Sequence, residues 1–320
     1  MPDSPQVVLL TGVTGQDGSY LAERLVADGH DVHGLVHRTD TAQVTDGVTV
    51  HSGDITEHDD LRHLVADVGP DLVFNLAGIS SVATSWEHPL LTAQTTGVAA
   101  EALMEASWVT QERSGREVRF LQASSAEIFG QAESSPQDET TPIRPVNPYG
   151  AAKAFAHHCT HVYRQRGLFA SSVILFNHES PRRPPDFVTR KITSGAAAIA
   201  RGESDVLALG NLEARRDWGW APDYVDAMLR AVRHDTADDY VVATGVAHSV
   251  RDFVDAAFRR AGIPDWEGLV VQDERFFRPA EATVLCGDPS RARRALGWEP
   301  TTSFDELVGR MVDADLAGPL

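Results

Sequence analysis

The chain opens with a short β-forming run at 6–10. This passes straight into Thr11-Gly12-Val13-Thr14-Gly15-Gln16-Asp17-Gly18 and then into helical spacing at 20–28. No other feature restricts the fold as tightly. A strand that ends in a turn with glycines three residues apart, followed at once by a helix, is how an open parallel sheet begins. Gly12 permits the tight turn, Gly15 lets backbone approach a pyrophosphate, and Gly18 allows close helix packing. The helix start then offers unpaired N–H groups and the positive end of its dipole to phosphate. A dinucleotide cofactor is the ligand this arrangement predicts.

The rest of the first half continues the alternation. Apolar runs at 31–36, 48–51, 71–76, 118–122 and 170–176 read as further strands, with helix-like stretches such as 92–107 and 149–166 between them. Continuous apolar strands alternating with helices predict a parallel sheet covered on both faces, an α/β doubly wound Rossmann-type fold. After Phe176 the texture changes to the Pro- and Arg-rich loop NHESPRRPPDF, and two more helices are expected at 250–261 and 303–315. The expected division is a dinucleotide-binding domain at 1–176, completed by about 214–245. A smaller α/β substrate lobe is expected at 177–213 and 246–320.

Composition narrows the partners. Lys plus Arg number 28 against 46 Asp plus Glu, a formal charge of −18. Such a surface repels nucleic acid and anionic membrane, and any phosphate site must be built from local cations and helix N-termini. Two cysteines, Cys159 and Cys286, are too few for a disulfide framework or a thiolate zinc site. No metal is expected. No stretch approaches the roughly 18 apolar residues of a membrane span. The N-terminal residues lack the pattern of a signal peptide, so the expected compartment is the cytoplasm.

Two further groups carry chemistry. The second strand ends at Val36-His37-Arg38, where a cation favours the 2′-phosphate of NADP over the free ribose of NAD. Asp54 follows the third strand, positioned to accept from an adenine amino group. Tyr149 and Lys153 stand four residues apart, on one face of a helix. A nearby ammonium and a nicotinamide are expected to lower the phenol from about 10, so that Tyr149 can act as a base. Ser125 ends a buried-type strand, where a hydroxyl can hold the reacting group. Glu127, two residues on, is the more informative. Oxidation and reduction need Ser125, Tyr149 and Lys153 alone, whereas loss of water from a neighbouring carbon needs a second base. Oxidising carbon 4 of a sugar to a ketone makes the carbon 5 proton acidic, and a carboxylate can remove it as the carbon 6 hydroxyl leaves.

The segments TGVTGQDGSYLAE, ASSAEIFG, NPYGAAK, FNHESPRR, FVTRKI, LGNLEARRDWGWAPDYV, ATGVAHSVRDFV, and FFRPAE followed by GDPSRARRALGW occur in that order. Together they resemble the GDP-mannose 4,6-dehydratase family, within the extended short-chain dehydrogenases, over nearly the whole chain. The resemblance implies Ser125, Glu127 and Tyr149 as catalytic residues, with Lys153 supporting Tyr149 and holding the nicotinamide ribose. It implies NADP contacts from Gly12, Thr14, Gly15, Gln16, Asp17, Gly18, Arg38, Asp54, Ile55, Leu76, Ala77, Gly78, Ser80, His178 and Arg183. Substrate contacts are implied for Ser85, Asn177, Val188, Lys191, Gly210, Arg216, Arg278 and Glu281, with Lys191, Arg216 and Arg278 gripping a nucleotide diphosphate. The implied reaction takes GDP-mannose to GDP-4-keto-6-deoxy-mannose. Carbon 4 is oxidised, water is lost across carbons 5 and 6, and the same hydride returns to carbon 6.

The chain departs from the family pattern at four places. Ser125 stands for the usual Thr, Leu91 for a Tyr, and Pro184-Pro185-Asp186 for Gly-Glu-Thr. The segment after Arg38 is short, which removes an insertion associated with a tetramer, so a homodimer is expected. Three other readings fit parts of the pattern: a dehydratase for another nucleotide sugar, a sugar-nucleotide 4-reductase or epimerase, and a non-catalytic NADP sensor. The last two have no use for Glu127.

Overall fold

Alternate residues of the first strand go to opposite sides, and the molecule is organised around that division. The computed structural model describes residues 4–38, 40, 43–273, 275 and 284–318. Strand β1 (Val7–Thr11) sends Val8 and Leu10 into one hydrophobic cluster and Leu9 into another. Then come α1 (Gln16–Ala27), β2 (Asp31–His37), β3 (Val48–Gly53), α2 (His58–Val68) and β4 (Leu72–Asn75). Short helices α3 (Val82–Glu87) and α4 (Pro89–Thr92) lead through a π-type turn, Ala93–Val98, into α5 (Ala99–Ser114). Next are β5 (Arg119–Ser125), α6 (Pro148–Gln165), β6 (Phe169–Leu175), β7 (Asn177–Glu179), α7 (Val188–Ala200), β8 (Leu207–Leu209) and β9 (Arg215–Trp220). The chain continues through α8 (Ala221–Arg233), β10 (Asp239–Val242), β11 (Ala247–Ser249), α9 (Val250–Arg260), β12 (Val270–Gln272) and α10 (Phe304–Leu316).

Seven strands form the main sheet in the order β10-β6-β5-β4-β1-β2-β3, every pairing parallel. This is the doubly wound sheet that the alternation predicts. Helices α1 and α8 cover one face, where Leu21, Leu25, Tyr224 and Met228 pack with Leu72, Phe74 and Leu121. Helices α2, α5 and α6 cover the other, where Val65, Leu103, Met104 and Ala156 meet Val73 and Phe120. Each such side chain taken fully from water contributes about 1.5–3 kcal/mol. The strand order reverses between β1 and β4. A crevice opens there at the carboxyl ends of the strands, where ligands of such sheets bind.

A separate hydrophobic cluster joins α7, α9 and α10 to β8 and β9 through Ile192, Trp218, Phe253, Phe258, Leu307 and Met311. Both α9 and α10 start with reciprocal capping boxes, Ser249 with Asp252 and Ser303 with Glu306. Each cap satisfies two otherwise orphaned N–H groups.

The strands of the first half lie within a few residues of the sequence reading. Two expectations need correction. The helix expected at 92–107 runs without interruption from Pro89 to Ser114 but widens to π-type spacing at Ala93–Val98, where Thr92 and Thr95 turn their hydroxyls back onto the carbonyls of His88 and Leu91. Such back-bonding competes with regular helix geometry. The second half also contains α7 and α8, which the sequence reading did not separate from irregular chain.

Candidate active site

Strand β5 delivers Ser125 to the crevice, and a short 3-10 turn, Ala126–Ile128, carries Glu127 directly after it. Asn147 ties this turn to the next helix. Its side-chain oxygen caps α6 by accepting from Gly150 N at 2.7 Å, and its Nδ2 donates to Glu127 Oε2 at 2.8 Å. Pro148 follows in the first helical turn, where its missing N–H costs nothing. Gly150 has no side chain for a strict reason: a Cβ there would lie 2.5 Å from the Glu127 carbonyl oxygen. The helix bearing Tyr149 and Lys153 is thereby pressed against the turn bearing Glu127.

Ser125 Oγ accepts from Glu127 N at 3.2 Å and is hydrogen-bonded to the Tyr149 hydroxyl. Lys153 is buried, and its Nζ donates to the Ala123 carbonyl at 2.8 Å, 5.9 Å from the centre of the Tyr149 ring. Burial dominates and pushes Tyr149 up to about 12, opposed by the Ser125 hydrogen bond and raised further by the Glu127 carboxylate. Burial also brings Lys153 down to about 8.

These groups line a cavity of about 440 Å³. Of the other residues implied by resemblance, Asp17, Leu76, Ser80, Asn177, His178, Arg183, Val188, Lys191, Gly210 and Arg216 line the same cavity. Ser85 does not. It is fully buried and its hydroxyl donates to Val82 O within its own helix. Arg278 and Glu281 fall outside the described residues.

The glycine turn behaves as the sequence predicts at the backbone level. Gly15 N donates to Gly12 O at 3.0 Å, and Gly15 caps α1 without a side chain, leaving the first N–H groups of the helix for an anion. A Cβ on Gly18 would sit 2.0 Å from Gly12 O, so helix and turn can close only around glycine. Arg38 is exposed after β2, Asp54 and Ile55 follow β3, and Ala77 and Gly78 follow β4, all at the carboxyl ends. Two hydrogen bonds from Thr56 hold Asp54 below the ordinary carboxylate range. The turn therefore fits a dinucleotide: a bare helix start for the diphosphate, with Arg38 and Asp54 on the strand ends beyond.

Side chains of the turn have a second task. Gln16 donates to His178 O at 3.0 Å and accepts from Ser180 Oγ at 2.8 Å, so its amide is committed and only its backbone remains for a cofactor. Asp17 lies 2.8 Å from His178 Nε2, while His178 Nδ1 lies 2.7 Å from Phe176 O. Burial alone would raise Asp17 and lower His178. Their mutual attraction outweighs it, holding the carboxyl below its usual range and the imidazole above its own. His178 also stacks on Tyr224 at 4.7 Å between ring centres.

Around the substrate wall, Arg183 pairs with the buried Glu179 at 3.2 Å and lies over the Phe187 ring. Thr189 donates to the same carboxylate at 2.6 Å. Burial lowers Lys191, with Asp273 opposing and Arg275 assisting. Arg275 lines the cavity and was not singled out in the sequence, because an exposed arginine in irregular chain carries no periodic signal. The sequence reading likewise gave no role to Asn147, although it precedes the Pro-Tyr pair and has the residue type of a helix cap.

The family model for GDP-mannose 4,6 dehydratase matches residues 9–311. A protein named GDP-mannose 4,6 dehydratase 2 from Arabidopsis thaliana is 45% identical over 97% of this chain and 87% of its own length. The GDP-mannose 4,6 dehydratase of Homo sapiens is 40% identical over 97% and 91%. Among solved structures, a UDP-glucose 4-epimerase from Thermus thermophilus in complex with NAD superposes with a TM-score of 0.83 at 27% identity, covering 98% of this chain and 99% of that one. RMD from Pseudomonas aeruginosa complexed with NADPH gives a TM-score of 0.81 at 26% identity over the same shares.

Proposed function

The chain belongs to the GDP-mannose 4,6-dehydratase family, and from that premise we propose that its cavity dehydrates GDP-mannose through an internal hydride cycle with NADP. The observation that carries this reading is Glu127. A carboxylate clamped by Asn147 lies in the cavity with Tyr149 and Ser125, where an epimerase or a reductase has no work for it. The nicotinamide supplies a place to park a hydride and return it, so no net oxidant is consumed. Ser125 hydrogen-bonds the carbon 4 hydroxyl and Tyr149 takes its proton. Glu127 removes the carbon 5 proton and delivers it to the departing carbon 6 hydroxyl, so that water leaves and a 5,6-alkene conjugated to the carbon 4 ketone remains. Addition of the stored hydride to carbon 6 and of a proton to carbon 5, balancing the one taken by Tyr149, then gives GDP-4-keto-6-deoxy-mannose. Lys153 holds the ribose and feeds positive charge to the site. A phenol that burial holds near 12 needs the cationic ring of an oxidised nicotinamide to serve as a base.

Arg38 supports NADP over NAD, since its exposed guanidinium follows β2 where the 2′-phosphate would sit. Lys191, Arg216 and Arg275, brought to one cavity, support recognition of a nucleotide diphosphate. Residues 1–176 with about 214–245 would hold the dinucleotide, and 177–213 with 246–320 the sugar nucleotide. A homodimer is supported by apolar side chains left exposed along α4 to α6: Leu90, at 81% exposure, with Leu91, Val98, Phe155 and Val162. No helix among the described residues is long and apolar enough to cross a membrane, and we place the enzyme in the cytoplasm.

The test is incubation of the purified protein with GDP-mannose and no added reductant, followed by mass spectrometry. Loss of one water without net NADP consumption is expected, and an untouched substrate would overturn the reading. Size-exclusion chromatography with light scattering decides the dimer.

A further inference from the structure

Helix α6 carries Tyr149, Lys153, His157 and His161 at successive intervals of four, so they form one stripe along it. The first two line the cavity. The second two run on towards β10, the edge strand of the main sheet, and meet its first residue, Asp239. His157 Nε2 is 3.8 Å from Asp239 Oδ2, too far for a hydrogen bond, and His161 Nε2 is 2.5 Å from the same oxygen. One nitrogen from each ring and one carboxylate oxygen all lie within 4.8 Å of one another. Two imidazoles therefore converge on one oxygen, and a single shared proton can serve only one of them.

We infer that His157, His161 and Asp239 form a binding site for a late first-row divalent ion, with Zn²⁺ as its representative. Nitrogen and carboxylate ligands suit such ions, and three protein ligands leave a fourth position for water. Tetrahedral coordination at about 2.1 Å places ligand atoms about 3.4 Å apart, against 2.5 and 3.8 Å from the two rings to Asp239 Oδ2 and a spread of 4.8 Å over the whole set. The His161 side chain is 41% exposed, which leaves the ring room to reorient and gives the ion an entry path. The outer shell is in place. Ser172 Oγ lies 2.9 Å from His157 Nδ1, and Arg164 Nη2 donates to Asp239 Oδ1 at 2.7 Å. Partners of this kind fix ring orientation and free the remaining atom for the metal. The Arg164 guanidinium limits affinity, since it already neutralises the carboxylate. The site accordingly binds more weakly than a thiolate site and acts as a clamp, fastening the helix of Tyr149 and Lys153 to the sheet edge.

Metal-stripped full-length protein is titrated with Zn²⁺ by calorimetry and with Co²⁺ by visible absorption, and melting is followed with and without Zn²⁺. One ion per chain, a tetrahedral Co²⁺ band and a higher Tm are expected. His161→Gln, at a half-exposed position, should fold normally, weaken Kd at least tenfold and abolish the Tm rise. Asp239→Asn should do the same where it folds. His51→Gln serves as a control, because His33 and His51 have ring nitrogens 2.8 Å apart elsewhere on the molecule. Binding that survives His161→Gln, or that vanishes in His51→Gln instead, overturns the site, as does the absence of stoichiometric binding.

Discussion

The glycine turn and the opposite wall of the cavity are built by different means. The turn works through backbone. It spans eight consecutive residues, and its specificity lies in where side chains are missing, as at Gly18. The opposite wall works through side chains gathered from distant segments: Ser125 and Glu127 from one strand end, Tyr149 and Lys153 from a helix, Lys191 and Arg216 from still later chain. A backbone site tolerates most side-chain changes and fails when a Cβ is added. A side-chain site tolerates backbone neighbours and fails when one functional group is lost. Between the two stands the Gln16, Asp17, His178 and Ser180 network, which fastens turn to wall.

That contrast can be tested by substitution. The largest effect is expected for Glu127→Gln, which keeps shape and the Asn147 contact but removes the base. Dehydration should fall about 10²–10⁴-fold, with dinucleotide binding unchanged by fluorescence titration. A matching loss of cofactor binding would show that the two walls are not separable. His178→Asn breaks the buried pair with Asp17 and should cost about 3–5 kcal/mol of unfolding free energy in denaturant melts.

The pH dependence of that cost follows from the two shifts. Asp17 is depressed, so its contribution is present above the unfolded value of about 3.9 and is lost as pH falls. His178 is raised, so its contribution is full below about 6.5 and is lost as pH rises through its folded value. The gap between wild type and variant should therefore be widest between about pH 4 and 6.5. A flat difference across pH 4 to 9 would show that the pair is not charged.

Gly18→Ala should act on the turn alone, costing about 1–3 kcal/mol from overpacking and weakening dinucleotide binding by a comparable factor. Retained affinity would mean that the turn can shift. The smallest effect is expected for Arg38→Ala. A solvent-exposed charged hydrogen bond lost should reduce preference for NADP over NAD by about tenfold, read as the ratio of their Kd values. An unchanged ratio would assign cofactor choice elsewhere.

Legibility followed the same division. The turn, the strands of the parallel sheet and the Tyr149–Lys153 pair are local patterns, each set by spacing within a few residues, and they could be read directly. The π-type widening at Ala93–Val98 could not, because it depends on hydroxyls competing for carbonyls inside a stretch of otherwise helical spacing. Arg275 and the Asn147 clamp were also missed, since one is an arginine in irregular chain and the other a cap whose second bond reaches back 20 residues.

Sequence alone determined the class of sheet, the place of the dinucleotide turn and the identity of the groups that can exchange protons. Those are fixed by steric rules at glycine, by the alternation of apolar residues and by side-chain chemistry. Tertiary structure decided how these groups behave. It turned Lys153 onto the Ala123 carbonyl, placed Tyr149 in surroundings that push its phenol up, and set His178 beside Asp17, which raises the imidazole. Protonation depends on burial and on charges brought together from remote parts of the chain, and neither is a property of any short stretch of sequence.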